Sequence, residues 1–254
     1  MCGRYELHSH PAAIALAFGL PFPPEIVARY NIAPMQDVPI VRLNAEGDRE
    51  LVQLRWGLVP RWAKDPSIGA RMINARAESI TERSAFRFPF QRHRCLFPAD
   101  GFYEWVKTLS GKHPMHIGRR DGTPLGLAGI YERWLSPEGE VLDTCAILTT
   151  RANELLAGVH DRMPVIVPPE EYARWLDVTN TEVEDLFEPY PNDALVVRPV
   201  SKRVNAVRND DAALIETVEV SDDSAPAPAV EPPEDTSAEE ELEPPNRPVQ
   251  AKLF

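Results

Sequence analysis

The chain has 254 residues, of which 43% are hydrophobic, and a formal net charge of −12. That length supports a substantial core in one large domain or two small ones. Polar, charged first residues, the lack of any apolar run approaching a membrane span, and three cysteines (Cys2, Cys95, Cys145) without C-x-x-C spacing argue against a secretory leader, a membrane anchor, a disulfide framework and a zinc site, and fit a reducing cytosol.

The elements follow in chain order. Pro11 to Leu20 predicts a short helix with proline at its start and Gly19 near its end, stopped by Pro21, Pro23 and Pro24. Tyr30 to Pro34 is a turn-rich connector. Val38 to Leu43 and Glu50 to Pro60 predict strands joined by a turn over Asn44 to Asp48. Arg61 to Arg71 is irregular and contains Trp62; Ile80 to Phe88 predicts a helix ended by Pro89. His93 to Val106 predicts two strands about a turn at Pro98 to Gly101, with further strands at His113 to Gly118, Leu125 to Trp134 and Val141 to Thr149. Arg151 to Val159 predicts a short helix, Val165 to Val167 a strand, and Glu170 to Leu176 a helix; Thr181 to Glu184 fits a capping box for another, and Ala194 to Val200 closes the series as a strand. Strands mixed with short helices, without regular alternation, predict an α+β fold around a largely antiparallel sheet or barrel with short peripheral helices.

Charge divides the chain. Residues 1–220 predict the folded domain. Ser221 to Phe254 holds nine acids against two bases, so of the net −12 the tail carries −7 and the body −5. Rich in Pro, Glu and Ala and poor in apolar residues, this acidic tail is predicted to be disordered. Within the body, Arg55 to Arg94 holds nine bases against three acids. That stretch makes either a phosphate-facing surface or arginines scattered over several solvated faces.

Four positions carry reactive groups in settings richer than core packing needs. Cys2 follows the initiator methionine. Once Met1 is removed, its α-amine (pKa about 7.7–8.0) and thiol (about 8.5) stand on adjacent carbons, so an aldehyde can condense with the amine and close a five-membered ring through sulfur. The alternative is a small buried residue. Asn74 and Arg76 share one strand face, or else cap a turn and pair with Glu78, respectively. Glu104, bracketed by Tyr103 and Trp105, is an acid–base group near neutrality if partly buried and a solvated acid if not. His160 lies just past a helix end, as a titrating imidazole or a C-cap. The histidines form no convincing metal-ligand cluster, and His8-Ser9-His10 predicts a surface turn.

In combination, Met1-Cys2-Gly3-Arg4-Tyr5, Tyr30-Asn31-Ile32-Ala33-Pro34, Arg55 to Pro60, Ile73 to Glu78, Ala99 to Trp105 and His160-Asp161-Arg162-Met163-Pro164 closely resemble the SOS-response-associated peptidase (SRAP) family of abasic-site shield proteins. The resemblance runs from Cys2 to about Arg208. It implies binding of single-stranded DNA bearing an abasic site and capture of the open-chain sugar aldehyde by Cys2 as a thiazolidine crosslink. By motif it implies that Glu104 and His160 handle protons, that Asn74 orients the N-terminus, that Arg4, Arg76 and Arg162 grip flanking phosphates, and that Trp62 lies against DNA. It further implies a monomer without cofactor or metal, in the cytoplasm at damaged or replicating DNA. Two other readings stay open: a thiol hydrolase of the N-terminal-nucleophile type, with Met1 self-removal as its minimal form, and a non-covalent reader of modified bases. Gln250, Leu253 and Phe254 close the tail in a Q-x-x-L-F pattern similar to the bacterial sliding-clamp binding motif, which implies a tethered short motif that folds on binding.

Overall fold

The computed structural model describes residues 2–108 and 111–219. Thirteen strands run through them: β1 (Tyr5–Leu7), β2 (Arg29–Ile32), β3 (Asp37–Leu43), β4 (Arg49–Trp56), β5 (Asn74–Arg76), β6 (Arg94–Ala99), β7 (Gly101–Thr108), β8 (Gly111–Arg119), β9 (Leu125–Leu135), β10 (Val141–Arg151), β11 (Arg162–Pro164), β12 (Ile166–Val167) and β13 (Leu195–Pro199). Four short helices accompany them: α1 (Pro11–Phe18), α2 (Ser84–Arg92), α3 (Glu154–Ala157) and α4 (Tyr172–Leu176). None is long and apolar enough to cross a membrane.

The strands form two sheets. One is five-stranded in the order β13-β8-β7-β1-β2. The other has eight strands and follows β11-β10-β4-β3-β6-β9-β12, with β5 added to β10 and a further pairing of β9 with β10. That last pairing closes β4, β3, β6, β9 and β10 into a five-stranded barrel, which removes the open edges those strands would otherwise expose. The fold is α+β and largely antiparallel, as expected. The exceptions are two parallel pairings of β10, with β4 and with β5.

A mostly apolar core fills the barrel and the join between the sheets. Tyr5 on β1 meets Trp56 at 5.4 Å and Phe97 at 6.3 Å between ring centroids, both edge to face, and all three rings are buried. Each such side chain contributes about 1.5–3 kcal/mol on burial, and the edge-to-face geometry adds to that. Helix α1 ends as expected at Gly19, which is left-handed at φ 63°, and Phe18 stacks on Tyr172 of α4.

Several local expectations are corrected. The connector at Tyr30 is strand β2, paired to β1 with a bulge; its tertiary partner overrides its turn-like composition. Pro89 sits inside α2 rather than ending it. Pro89 is the sixth residue of this nine-residue helix, so the ring forgoes the intrahelical bond that an N–H there would make to Ala85 O. The segment after Arg151 is shorter than predicted, because β10 runs through Arg151 and α3 is one turn. Thr181 to Glu184 does not act as a capping box; a 3-10 turn, Glu184–Phe187, follows instead. The His8-Ser9-His10 segment bends at Ser9 with His10 exposed, while the half-buried His8 bonds Glu6 at 2.5 Å. The acidic tail and its Gln250, Leu253 and Phe254 lie outside the described residues.

Gly57 fixes the segment between β4 and β5. It adopts φ 138°, where a side chain is strained, and a Cβ there would lie 2.8 Å from the Gly69 carbonyl oxygen. Its amide bonds Cys145 O at 2.8 Å. Gly57→Ala is expected to destabilise the fold by about 2–4 kcal/mol, from backbone strain and overpacking together. Urea unfolding measures it, and a loss below about 0.5 kcal/mol would show that the close approach is not a constraint.

Candidate active site

Strand β1 lies between β7 and β2, and Tyr103 N–H donates to Arg4 O at 2.9 Å. This pairing carries Cys2, two residues before Arg4, into the interior, where it is fully buried. Asn74 Nδ2 donates to Cys2 O at 2.8 Å. Burial, and secondarily the charge of Glu104, push the Cys2 thiol far above its ordinary range, against a smaller opposite pull from the Arg4 backbone. The thiol is therefore protonated at neutral pH and needs a base nearby to act as a nucleophile.

Asn74 and Arg76 stand on β5, which runs parallel to β10 in the register Ile147↔Asn74 to Thr149↔Arg76. The strand is held in place by Trp56, whose indole N–H donates to Ile73 O at 2.8 Å. Alternation then buries Ala75 and turns Asn74 and Arg76 toward one cleft of about 400 Å3. Trp62, Arg71, Arg83 and Phe86 line the same cleft, and Trp62 is 55% exposed. Three arginines with two aromatic rings suit a polyanion that carries flat bases.

Glu104 stands on β7 and is 4% exposed. Burial raises its carboxyl above the ordinary glutamate range, and the His160 imidazole draws it partway back. Glu104 and His160 share a second open cleft, of about 490 Å3, with Trp105, Lys112 and Asn205. His160 Nδ1 accepts the Arg162 amide at 2.9 Å and lies 2.8 Å from an Asp161 carboxylate oxygen. These contacts compete, since the amide requires a lone pair on that nitrogen and the carboxylate a proton. Asp161 is 85% exposed, so water weakens its hold on the ring.

Cys2 joins the two clefts: its carbonyl is bound by Asn74 of the first, and its thiol feels the charge of Glu104 in the second. The expected residues are thus gathered with two qualifications. The Arg162 guanidinium forks onto both Glu78 oxygens, at 2.6 and 2.8 Å. Glu78 therefore pairs with Arg162 rather than Arg76, and its carboxyl is held below the usual range by that bond. Arg4 Nη1 points inward to Asn31 Oδ1 at 2.6 Å and Val204 O at 2.7 Å. Arg76 remains exposed on the cleft rim.

The sequence reading missed Arg71, Arg83 and Phe86 in the first cleft and Lys112 and Asn205 in the second. The excess of bases over Arg55 to Arg94 flagged the first set only as a group; no local signal marked Asn205. Glu6, His8 and Asp100 bring possible ligand atoms within 4.8 Å of one another. Glu6 and His8 are, however, 2.5 Å apart, closer than two ligands about 2.0–2.2 Å from a shared ion would sit. Asp100 is occupied by the His8 and Ser9 amides, each at 2.6 Å. The cluster is a hydrogen-bonded brace for β1.

The family described as SOS response associated peptidase (SRAP) matches residues 1–207. The chain is 43% identical over 224 residues to the abasic site processing protein YoqW of Bacillus subtilis, covering 85% of this chain and all of that one. It is 31% identical over 232 residues to the abasic site processing protein YedK of Escherichia coli, covering 86% of this chain and all of that one. A crystal structure of a Bacteroides thetaiotaomicron protein superposes with a TM-score of 0.76 at 24% identity, over 86% of this chain and all of that one, which shows a shared fold. With its motifs in order, its two-sheet fold and a match spanning most of its length, the chain belongs to the SRAP family.

Proposed function

We propose that this protein captures abasic sites in single-stranded DNA as a covalent adduct through Cys2, after removal of Met1, and so shields the lesion during replication. One observation carries the reading: the buried Cys2, its carbonyl held by Asn74, lies between a cleft of arginines and aromatic rings and a cleft lined by Glu104 and His160. The names of the relatives support the substrate. Residues 1–220 act as one DNA-binding domain and monomer, in the cytoplasm at damaged or replicating DNA.

The chemistry balances without a cofactor. Glu104, whose carboxyl burial pushes above the ordinary glutamate range, helps to open the sugar ring and expose its aldehyde. The Cys2 α-amine adds to the aldehyde carbon, and loss of water leaves a Schiff base. The thiol then adds to the imine carbon and its proton passes to nitrogen, closing the thiazolidine; the net products are the adduct and one water. Glu104 and His160 carry the protons between these steps. Arg76 and Trp62, on the exposed rim, meet flanking phosphate and base. Arg4 and Arg162, whose guanidinium groups are committed to internal partners with Nε buried, contact flanking phosphate by exchanging those partners. A hydrolase acting on other proteins is less well supported, because the thiol is pushed up rather than activated; Met1 self-removal is compatible with the proposal.

Single-stranded DNA with one abasic site, incubated with processed protein, is expected to give an adduct that survives denaturation. Cys2→Ala and protein retaining Met1 are expected to give none, and Cys2→Ser only a reversible Schiff base. Denaturing gels and intact mass measure this, and an equally durable adduct from Cys2→Ser would falsify the ring closure.

Glu104→Gln is expected to slow adduct formation by about 100-fold or more. It also has a stability signature. Because burial raises the carboxyl, the native state holds more protons than the unfolded chain between the two pKa values. The stability of the wild type is therefore fully present below the unfolded value, about 4.5, and is lost as pH rises through the folded value. Glu104→Gln should melt above wild type near neutral pH, with the gap closing toward about pH 4. A gap that does not vary with pH in thermal melts would remove the buried-acid argument.

The terminal Gln250, Leu253 and Phe254 tether the protein to a sliding clamp. A peptide of the last residues is expected to bind purified clamp and to lose binding when Leu253 and Phe254 become alanine. No binding by the unaltered peptide in calorimetry would sink this part of the reading.

A further inference from the structure

The Tyr30 to Pro34 motif has no role in the chemistry above, yet it contains a buried polar side chain with four contacts. Strand β2 bulges against β1: Tyr5 faces Ile32 and Leu7 faces Arg29, so the single residue Glu6 opposes both Tyr30 and Asn31. Bulges re-aim side chains, and this one sends Asn31, 1% exposed, toward the turn that follows β13. Asn31 Nδ2 donates to Val204 O at 3.2 Å, Ala206 O at 3.2 Å and Asn209 O at 2.7 Å. Its Oδ1 accepts from Arg4 Nη1 at 2.6 Å. The reverse amide orientation would turn NH2 against a guanidinium and oxygen against three carbonyls, so one orientation satisfies the site.

The turn seated in this way reaches the second cleft. Asn205, beside the Val204 carbonyl, accepts the Trp105 indole N–H at 2.8 Å. Trp105 and Asn205 both line the cleft that holds Glu104 and His160, and the Arg4 guanidinium lies 5.9 Å from the Trp105 ring centroid. Tyr30, the other bulge residue, accepts from Tyr103 Oη at 2.8 Å, and its amide bonds Asp210. A single carboxamide therefore couples the strand that leads to Cys2 with the wall of the cleft.

We propose that Asn31 is a positioning residue for the Cys2 reaction: it seats residues 202–209 so that Asn205 holds Trp105 as a fixed wall beside Glu104 and His160, while it fixes Arg4 two residues from the nucleophile. The inference rests on the abasic-site reading. Its consequence is a division of effects. The arginine and aromatic cleft around Trp62 and Arg76 is built from other elements, so DNA affinity should survive loss of Asn31 while the rate of the covalent step falls.

The test uses the full processed chain and an oligonucleotide with one abasic site, under single-turnover conditions at saturating DNA. Affinity is measured separately with an oligonucleotide carrying a non-reactive tetrahydrofuran site. Asn31→Ala and Asn31→Asp are expected to lower the saturated adduct rate by about tenfold or more, with less than about threefold change in Kd. Asn31→Asp keeps the Arg4 partner but faces three carbonyls with an anion, so a rate like that of Asn31→Ala places the effect in the turn. Asn205 is exposed, so Asn205→Ala leaves the fold intact and is expected to slow the rate in the same direction; Asn205→Asp, which keeps an acceptor for the indole, should restore part of it. Should Asn31→Ala not fold by circular dichroism, Asn205→Ala decides. Wild-type rates in the folded variants, or equal losses in rate and affinity, overturn the inference alone. No adduct from the wild type overturns the abasic-site reading, and the inference with it.

Discussion

The packing of Tyr5 against Trp56 and Phe97 is the contact on which the site depends. Strand β1 has only three residues and could not hold a chain end by backbone pairing alone. A large buried ring on that strand, inserted between two rings of the barrel, fixes its depth and its register. Cys2 follows from this as the next element inward, and the site is built at the join between the sheets because β1 lies there.

Around that anchor, the electrostatics work against an exposed reactive thiol. A thiolate near Glu104 in a dry setting is costly, and the same setting favours the neutral form of the Glu104 carboxyl. Burial raises both groups, and Glu104 adds to the rise of the thiol. The arrangement favours neutral groups over a standing charge. The arginines of the first cleft are spread along its rim rather than aimed at Cys2. Two of the basic side chains in the motifs, Arg4 and Arg162, serve first as internal braces, bound to Asn31 and Glu78.

Much of the architecture was legible from patterning. The strands from Val38 to Thr149 were bounded by Gly, Pro and Asp at close spacing, and the observed β3, β4 and β6 to β10 fall on them. The errors lie where tertiary partners outweighed local composition. Asn31 and Pro34 favour turns in isolation, yet β2 forms because β1 lies beside it. Helix α2 runs through Pro89 although proline cannot donate the intrahelical bond at that position. Likewise the contacts of His8 with Glu6 and Asp100 went unread, because spacing alone flags neither as its partner.

The sequence alone determined the order of the motifs, the candidate nucleophile at the chain start and the identities of Asn74, Glu104 and His160, because these rest on residue type and local spacing. The tertiary structure decided what each group can do. Burial sets the protonation of Cys2 and Glu104, a bulge turns Asn31 onto a turn more than 170 residues away, and Arg162 takes Glu78 as its partner. These outcomes depend on which side chains are brought within hydrogen-bond distance and how much water remains between them, and neither is encoded in neighbouring residues.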